Sequence, residues 1–280
     1  MNKGYGKSPD AALHFALFGN PVAQSLSPLM HGAAFAKMGL AALYTAYRVD
    51  EAADVVRRIR EKGIRGASIT IPFKQTVVAL LDEVDANAAA IGAVNTISNT
   101  GGRLMGYNTD STGLARDLEE WVGIGARTFV VLGAGGAARA AVFTILRAGG
   151  EAVVVNRTVE RARTLAGDLG CRWALPGEIG RLEADCLINT TPIGMFPEAD
   201  RTPLGSELLV HFPRVMDMIY NPVRTRLLRE SEAAGCAVRS GVGMFVHQGA
   251  DQVRLWTGLE PPREEMQRVV LERLEGRSGD

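Results

Sequence analysis

Short β-branched apolar runs recur along this chain. Each is followed by a polar turn and then by apolar positions at helical spacing, which predicts strand–turn–helix repetition. His14 to Phe18 reads as a first strand, ending in Gly19-Asn20-Pro21, with a helix from Pro28 to Met38. Tyr44 to Val49 predicts a second strand, Ala52 to Glu61 a helix, and Ala67 to Ile71 a third strand stopped by Pro72. Val94 to Ser98 and Leu104 to Tyr107 flank Asn99-Thr100-Gly101-Gly102, a hairpin signal. A helix from Ser111 to Trp121 leads into Gly123-Ile124-Gly125.

A cleaner unit then begins. Thr128 to Leu132 predicts a buried strand, Gly133 to Ala138 a glycine-rich turn, and an alanine-rich helix runs on to Arg147. Ala152 to Val155, Cys186 to Asn189 and Val215 to Met218 predict further strands, and Val159 to Leu169 a helix. Such alternation argues for an α/β fold with parallel strands. The domain joint falls near Asp110 to Gly113, and the final helices, Met244 to Thr257 and Arg263 to Leu274, are free to return to the first domain.

Composition narrows the class. Among 280 residues, 46% are hydrophobic and 22% charged, an ordinary globular balance. Net charge is zero, which argues against a nucleic-acid partner, and no apolar run reaches membrane-spanning length. The first ten residues read as a short disordered lead without a secretory signal, and Gly276 to Asp280 as a frayed tail. Cys171, Cys186 and Cys236 form no close pair and read as reduced core thiols of a cytoplasmic protein. The four histidines, His14, His31, His211 and His247, show no metal-ligand spacing and read as structural.

Gly133, Gly135 and Ala138 occupy the three small-residue positions of the dinucleotide fingerprint, between a strand and a helix. The first permits the tight turn, the second lets the backbone approach a pyrophosphate, and the third allows close helix packing. After the second strand, where an NAD site places a carboxylate, this chain has Asn156-Arg157-Thr158, with Arg161 one turn later. Two guanidinium groups there attract the 2′-phosphate of NADP; the plainer reading is a pair of surface charges. Cations at a helix start favour the anion-binding reading.

The first half holds a polar constellation. Ser25 and Ser27 bring two hydroxyls to a helix start, a site for a carboxylate, with Ser27 the expected cap and Ser25 idle as the alternative. Ser68 and Thr70 share a face of the third strand, and Lys74 follows at the expected start of a helix. A lysine partly desolvated there suits proton transfer near neutral pH; a solvated surface lysine is the plain alternative. Asn95 lies inside a predicted strand, where an amide needs a partner, and Asp110 closes the domain as a cleft residue or as a helix cap. Asn189 to Gly194 and Asp217 to Pro222 end strands on the side where open α/β sheets bind ligands.

In their order, G-N-P-V-A-Q-S-L-S-P, T-I-P-F-K, G-A-V-N-T, Y-N-T-D, G-A-G-G-A-A-R, N-R-T, N-T-T-P-I-G-M, D-M-I-Y-N-P and G-V-G-M-F-V-H-Q-G-A resemble the shikimate dehydrogenase family from Phe18 to Trp256. The resemblance implies NADP-dependent, reversible reduction of 3-dehydroshikimate to shikimate. It implies an α/β substrate domain over residues 1–111, a Rossmann-like NADP domain over 112–241, and C-terminal helices over 242–280 packing back on the first. Lys74 and Asp110 are then the catalytic pair. Ser25 and Ser27 hold the substrate carboxylate; Thr70, Asn95, Asp110 and Gln248 contact ring hydroxyls; Tyr220 closes the site. Gly133, Gly135, Gly136 and Ala137 wrap the phosphates. Asn156, Arg157, Thr158 and Arg161 clamp the adenosine phosphate, and Thr190, Met195 and Gly243 lie near the nicotinamide. Monomer and homodimer are both compatible. Ser68 departs from the family, which often has Asn there, and quinate- or aminoshikimate-oxidising paralogues share most of these motifs. A non-catalytic NADP-binding regulator would be expected to lack Lys74 or Asp110, and both are present.

Overall fold

The computed structural model describes residues 12–276. The expected disordered lead, and the expected frayed tail beyond Gly276, lie outside the described residues.

The first sheet opens with three parallel strands, β1 (Leu13–Gly19), β2 (Ala42–Arg48) and β3 (Gly66–Ile69), joined through α1 (Ser27–Lys37) and α2 (Ala52–Glu61). A short β4 (Glu83–Val84) and α3 (Ala86–Ile91) lead to the expected hairpin of β5 (Thr96–Thr100) and β6 (Arg103–Tyr107). Its turn sits at Gly101 and Gly102, with φ of 63° and 90°, the left-handed backbone a two-residue hairpin loop requires. Because β5 pairs antiparallel with both β3 and β6, this sheet is mixed, in the order β2-β1-β3-β5-β6-β4. The expected parallel strands are thus met in β1–β3, and the expected hairpin makes the rest of this sheet mixed.

From β6 the chain leaves through α4 (Thr109–Trp121) and builds a second sheet. Its elements are β7 (Thr128–Leu132), α5 (Gly136–Arg147), β8 (Glu151–Val155), α6 (Val159–Leu169), β9 (Arg172–Ala174), β10 (Cys186–Asn189), α7 (Ser206–Leu209), β11 (Arg214–Asp217), α8 (Arg226–Ala233) and β12 (Ala237–Ser240). Every pairing is parallel, in the order β12-β11-β10-β7-β8-β9. The chain winds outward in both directions from β7 and β10, so their carboxyl ends form a topological switch point, where such sheets open a crevice. Strands covered by helices on both faces read as continuous apolar runs, as in Phe129 to Leu132.

Two helices close the chain. α9 (Val242–Thr257) lies along α4, and α10 (Arg263–Glu275) packs on α1. Phe245, Val246, Val253, Met266 and Val270 share a buried cluster with Phe15, Met30 and Phe35, so the last helices do return to the first sheet. Gly113 makes the α4–α9 crossing close: a Cβ there would stand 2.8 Å from the backbone nitrogen of Gln248.

Candidate active site

Between the two sheets lies a cleft of about 940 Å³. Lys74 does not start a helix. It sits in a turn after β3, where its carbonyl accepts a hydrogen bond from Val94 N–H at 2.7 Å. That anchor aims the side chain at α4, and Nζ donates to Asp110 Oδ2 at 2.6 Å. Lys74 is mostly buried and Asp110 is buried. Asp110 is not the cap of α4: Asn108 accepts from Ser111 N–H at 3.2 Å, which leaves the Asp110 carboxylate free to face the cleft.

Asn95 lies just ahead of β5 rather than within it. Its Nδ2 donates to Asp110 Oδ1 at 2.9 Å and to Thr109 Oγ1 at 3.0 Å, and approaches Gln248 Oε1 at 3.4 Å. Thr70 stands one residue past the end of β3, because Pro72 and the turn beyond it end the ladder. Ser25 and Ser27 are not on an extended segment; a turn at Val22 to Ser25 runs straight into α1. Ser27 does not cap α1, whose N-cap position is Leu26, and Ser25 is not idle: its Oγ accepts from Ser27 N–H at 3.2 Å and donates to Ser27 Oγ at 3.2 Å. The two hydroxyls still meet beside the start of α1, now held by the turn. Tyr220, just beyond β11, stacks on Phe245 with ring centroids 3.9 Å apart and accepts from Leu26 N–H at 3.4 Å, which carries it across to the first sheet.

The opposite wall is the β7–α5 turn. Gly133 has φ of 116°, and a Cβ there would stand 2.5 Å from Thr190 Oγ1, so both conformation and space demand glycine. Gly135 is the N-cap residue of α5 and supplies no side-chain cap, so the first-turn N–H groups stay available for an anion. Nothing stands within 4 Å of a Cβ built on Gly135, so that side of the loop opens onto free space. Gly136 packs against Lys74, with a would-be Cβ 2.9 Å from Lys74 Cβ, and Ala138 is wholly buried under the sheet. Asn156, Arg157 and Arg161 line the far end of the cleft, and Asn156 Nδ2 donates to the carbonyl of Thr158 at 2.9 Å, which shapes that turn. Both arginines are exposed, and neither has a carboxylate partner among the described residues. A dinucleotide carrying an extra phosphate fits these donors: an uncapped helix start for the pyrophosphate and two unpaired guanidinium groups for the phosphate on the ribose.

Thr190 and Met195 also line the cleft, with Thr190 Oγ1 donating to the carbonyl of Leu132 at 2.6 Å. Two of the expected cofactor residues stand apart. Thr158 is exposed and is not part of the cleft lining. Gly243 faces away from it: its missing side chain makes room for the carboxylate of Asp117, which accepts from Met244 N–H at 3.1 Å and from Arg239 Nε at 3.0 Å. Gly241 and Met244 line the cleft in its place. The sequence reading missed Gln252, which reaches the cleft floor from α9; its spacing of one helical turn from Gln248 was the available signal. None of the four histidines lines the cleft, and all three cysteines are free thiols, two buried and Cys171 half-buried.

Residues 17–97 match the family profile described as shikimate dehydrogenase substrate binding domain, and residues 241–271 match the shikimate 5'-dehydrogenase C-terminal domain. A shikimate dehydrogenase (NADP(+)) of Moorella thermoacetica is 45% identical over 94% of this chain and 94% of its own length. One from Geobacillus sp. (strain WCH70) is 42% identical over 94% of this chain and 99% of its own. Among solved structures, shikimate 5-dehydrogenase from Thermus thermophilus in complex with NADP(H) and shikimate superposes with a TM-score of 0.84 at 41% identity, covering 93% of this chain and 99% of that one. Likeness of this degree runs through both sheets and the returning helices, and so the chain belongs to the shikimate dehydrogenase family.

Proposed function

We propose that this chain catalyses the reversible, NADPH-dependent reduction of 3-dehydroshikimate to shikimate in aromatic amino acid biosynthesis, with Lys74 and Asp110 managing the proton. The observation that carries the reading is the 2.6 Å contact of Lys74 Nζ with Asp110 Oδ2 directly across from the dinucleotide turn. The bound nicotinamide supplies the hydride in one direction and accepts it in the other. Reduction of a ketone leaves an alkoxide oxygen, and the Lys74 ammonium donates its proton there; in the oxidation direction the neutral amine removes it. Asp110 holds Nζ in place, and with Thr70, Asn95 and Gln248 it orients the ring hydroxyls.

The hydroxyls of Ser25 and Ser27 donate to the substrate carboxylate beside the start of α1, and Tyr220 closes that end. Gly133, Gly135, Gly136 and Ala137 present backbone N–H groups to the pyrophosphate. Arg157 and Arg161 pair with the 2′-phosphate, on a turn shaped by Asn156 and Thr158, while Thr190 and Met195 flank the nicotinamide. Residues 1–111 form the substrate domain, 112–241 the cofactor domain, and 242–280 the returning helices. In support, every strand of the first sheet lies before α4 and every strand of the second between α4 and α9. Free thiols suit a reducing cytoplasm, and no helix among the described residues is long and apolar enough to cross a membrane.

The test is reduction of NADP with shikimate and with quinate as alternative substrates. A kcat/KM that favours shikimate supports the reading; a preference for quinate overturns the substrate assignment.

A further inference from the structure

Behind the Lys74–Asp110 pair and Asn95 runs a chain of buried polar groups, Tyr44, Ser68, Gln252 and Thr96, to which the reaction assigns no role. Tyr44 Oη donates to Ser68 Oγ at 2.6 Å, and Ser68 Oγ donates to Gln252 Oε1 at 2.7 Å. Gln252 Nε2 donates to Thr96 Oγ1 at 3.0 Å, Thr96 Oγ1 donates to Asn95 Oδ1 at 2.8 Å, and Asn95 Nδ2 donates to Asp110 Oδ1 at 2.9 Å. Every member is buried. The chain crosses from β2 to β3, over to α9, back to the start of β5 and into α4.

The orientations of the two amides are dictated by groups that have only one option, and the Thr96 hydroxyl, 2.8 Å from Asn95 Oδ1 and 3.1 Å from Thr109 Oγ1, lies nearer the amide oxygen. The backbone N–H of Thr109 can only donate, and it points at Asn95 Oδ1 from 2.7 Å. That places the amide oxygen there and turns Nδ2 toward Asp110. The backbone carbonyl of Asn95 can only accept, and it lies 3.4 Å from Gln252 Nε2, so Gln252 Oε1 faces Ser68. Ser68 has a single proton, which goes to that oxygen; its lone pair is left for Tyr44. The result is a row of donors that all point the same way and end on a carboxylate. Reversing a link would set like groups against each other among buried side chains, where an unmade hydrogen bond is costly.

We propose that Tyr44, Ser68, Gln252 and Thr96 are positioning residues. They form a one-way hydrogen-bond relay that keeps the Asn95 amide with its donor toward Asp110, and thereby keeps the Lys74–Asp110 pair in the geometry proton transfer needs. The inference rests on the assignment of Lys74 and Asp110 made above. Thr96 is the relay member next to Asn95, and its hydroxyl both accepts from Gln252 and donates to Asn95.

The test is a double-mutant cycle. Thr96→Val keeps the side-chain shape and removes the hydroxyl; it is made in the wild-type chain and in Asp110→Asn. If the relay acts through Asp110, Thr96→Val lowers kcat by about 10- to 100-fold in the wild-type background, with little change in either KM, and by less than about 3-fold in Asp110→Asn. Thr96→Ser, which restores the hydroxyl, returns kcat to near the wild-type value. A loss of equal size in both backgrounds, an unchanged kcat, or a serine variant as poor as the valine one overturns the relay and leaves the catalytic assignment standing. A near-normal kcat for Asp110→Asn alone brings down the catalytic assignment and the relay with it. Ser68→Ala, which cuts the chain further from Asp110, provides a second cycle with the same expected pattern should Thr96→Val fail to fold.

Discussion

His31 stacks on Tyr44 with ring centroids 4.3 Å apart, wholly buried, and its Nδ1 lies 2.9 Å from the carbonyl of Ser27. A carbonyl only accepts, so Nδ1 carries the proton of the neutral ring. Burial pushes this imidazole down to about 4 from its ordinary 6.5. Asp217 is displaced the other way: burial pushes its carboxyl up to about 6 from 3.8, against hydrogen bonds from Ile219 N–H, Thr225 and Asn189. The two groups act oppositely on stability. The folded state excludes the proton that unfolded His31 binds, so the His31 contribution is present above pH 6.5 and lost as pH falls toward 4. Folded Asp217 holds a proton that the unfolded chain releases, so its contribution is present below pH 3.8 and lost as pH rises through 6. Denaturant unfolding at a series of pH values checks both. The stability of wild type relative to His31→Gln is expected to rise by about 3 kcal/mol from pH 4 to 6.5, and relative to Asp217→Asn to fall by about 2 kcal/mol from pH 4 to 6.

Lys74 gives the sharpest kinetic expectation at this scale. Lys74→Met is expected to lower kcat by about 10²–10⁴-fold with a smaller change in KM, and Asp110→Asn to lower it as well. The double variant is expected to be little worse than the poorer single one, because groups acting as a unit are strongly non-additive. Steady-state rates of the three variants settle it; losses that simply multiply would separate the two residues.

Among the elements, α9 owes its placement to a gap. Gly243 lets the Asp117 carboxylate reach the first turn of α9, where it accepts from Met244 N–H while Arg239 braces it from β12. A methyl group at position 243 would occupy the space of that carboxylate. Gly243→Ala is therefore expected to destabilise the fold by about 2–4 kcal/mol through a displaced buried carboxylate, visible as a lower Tm. An unchanged Tm with a raised KM for NADP would return Gly243 to the cofactor site. The elements the sequence made legible share one property. α2, β7, α6 and β10 fall on their expected residues because local apolar patterning marks them, with Gly63 and Gly170 in left-handed backbone just after the two helices. β9 and β12 escaped because they are short and made strands by their pairing partners, and α7 because it is a single turn of four residues. Lys74 was misplaced at a helix start for a related reason: the turn that holds it is pinned by Val94, some twenty residues on.

For the molecule as a whole, the cofactor turn and the substrate strands are held together by few direct links besides α4 and α9. Arg139 on α5 is one, donating through Nε to the carbonyl of Ile91 at the end of α3. Another is the contact of Gly136 with Lys74. A ligand that spans the cleft adds to these links only in the folded state, so NADP at 100 times its Kd is expected to stabilise the protein by roughly 2.7 kcal/mol. Arg157 is exposed and has no carboxylate partner among the described residues, so Arg157→Ala is expected to leave the Tm of the free protein unchanged. It is also expected to weaken NADP binding by about 1.5–3 kcal/mol, the worth of a hydrogen bond to a charged group, and to leave NAD binding nearly as it was. Thermal shifts with each cofactor measure all three; equal loss for NAD and NADP would remove Arg157 from the phosphate site.

By itself, the sequence determined the alternation of strands and helices, the dinucleotide turn and the absence of an acidic residue after β8, because each depends on a few adjacent residues and on backbone geometry near them. The order of its motifs was enough to identify the family. What only the tertiary structure decided are the relations between distant residues. Asp110 meets Lys74 across 36 positions, Gln248 and Gln252 reach Asn95 from 153 and 157 positions away, and Gly243 turns toward Asp117 instead of the cleft. Those contacts depend on where α9 lands after the second sheet is complete. That landing follows from a buried apolar cluster shared by β1, α1, α9 and α10, and no local pattern records it.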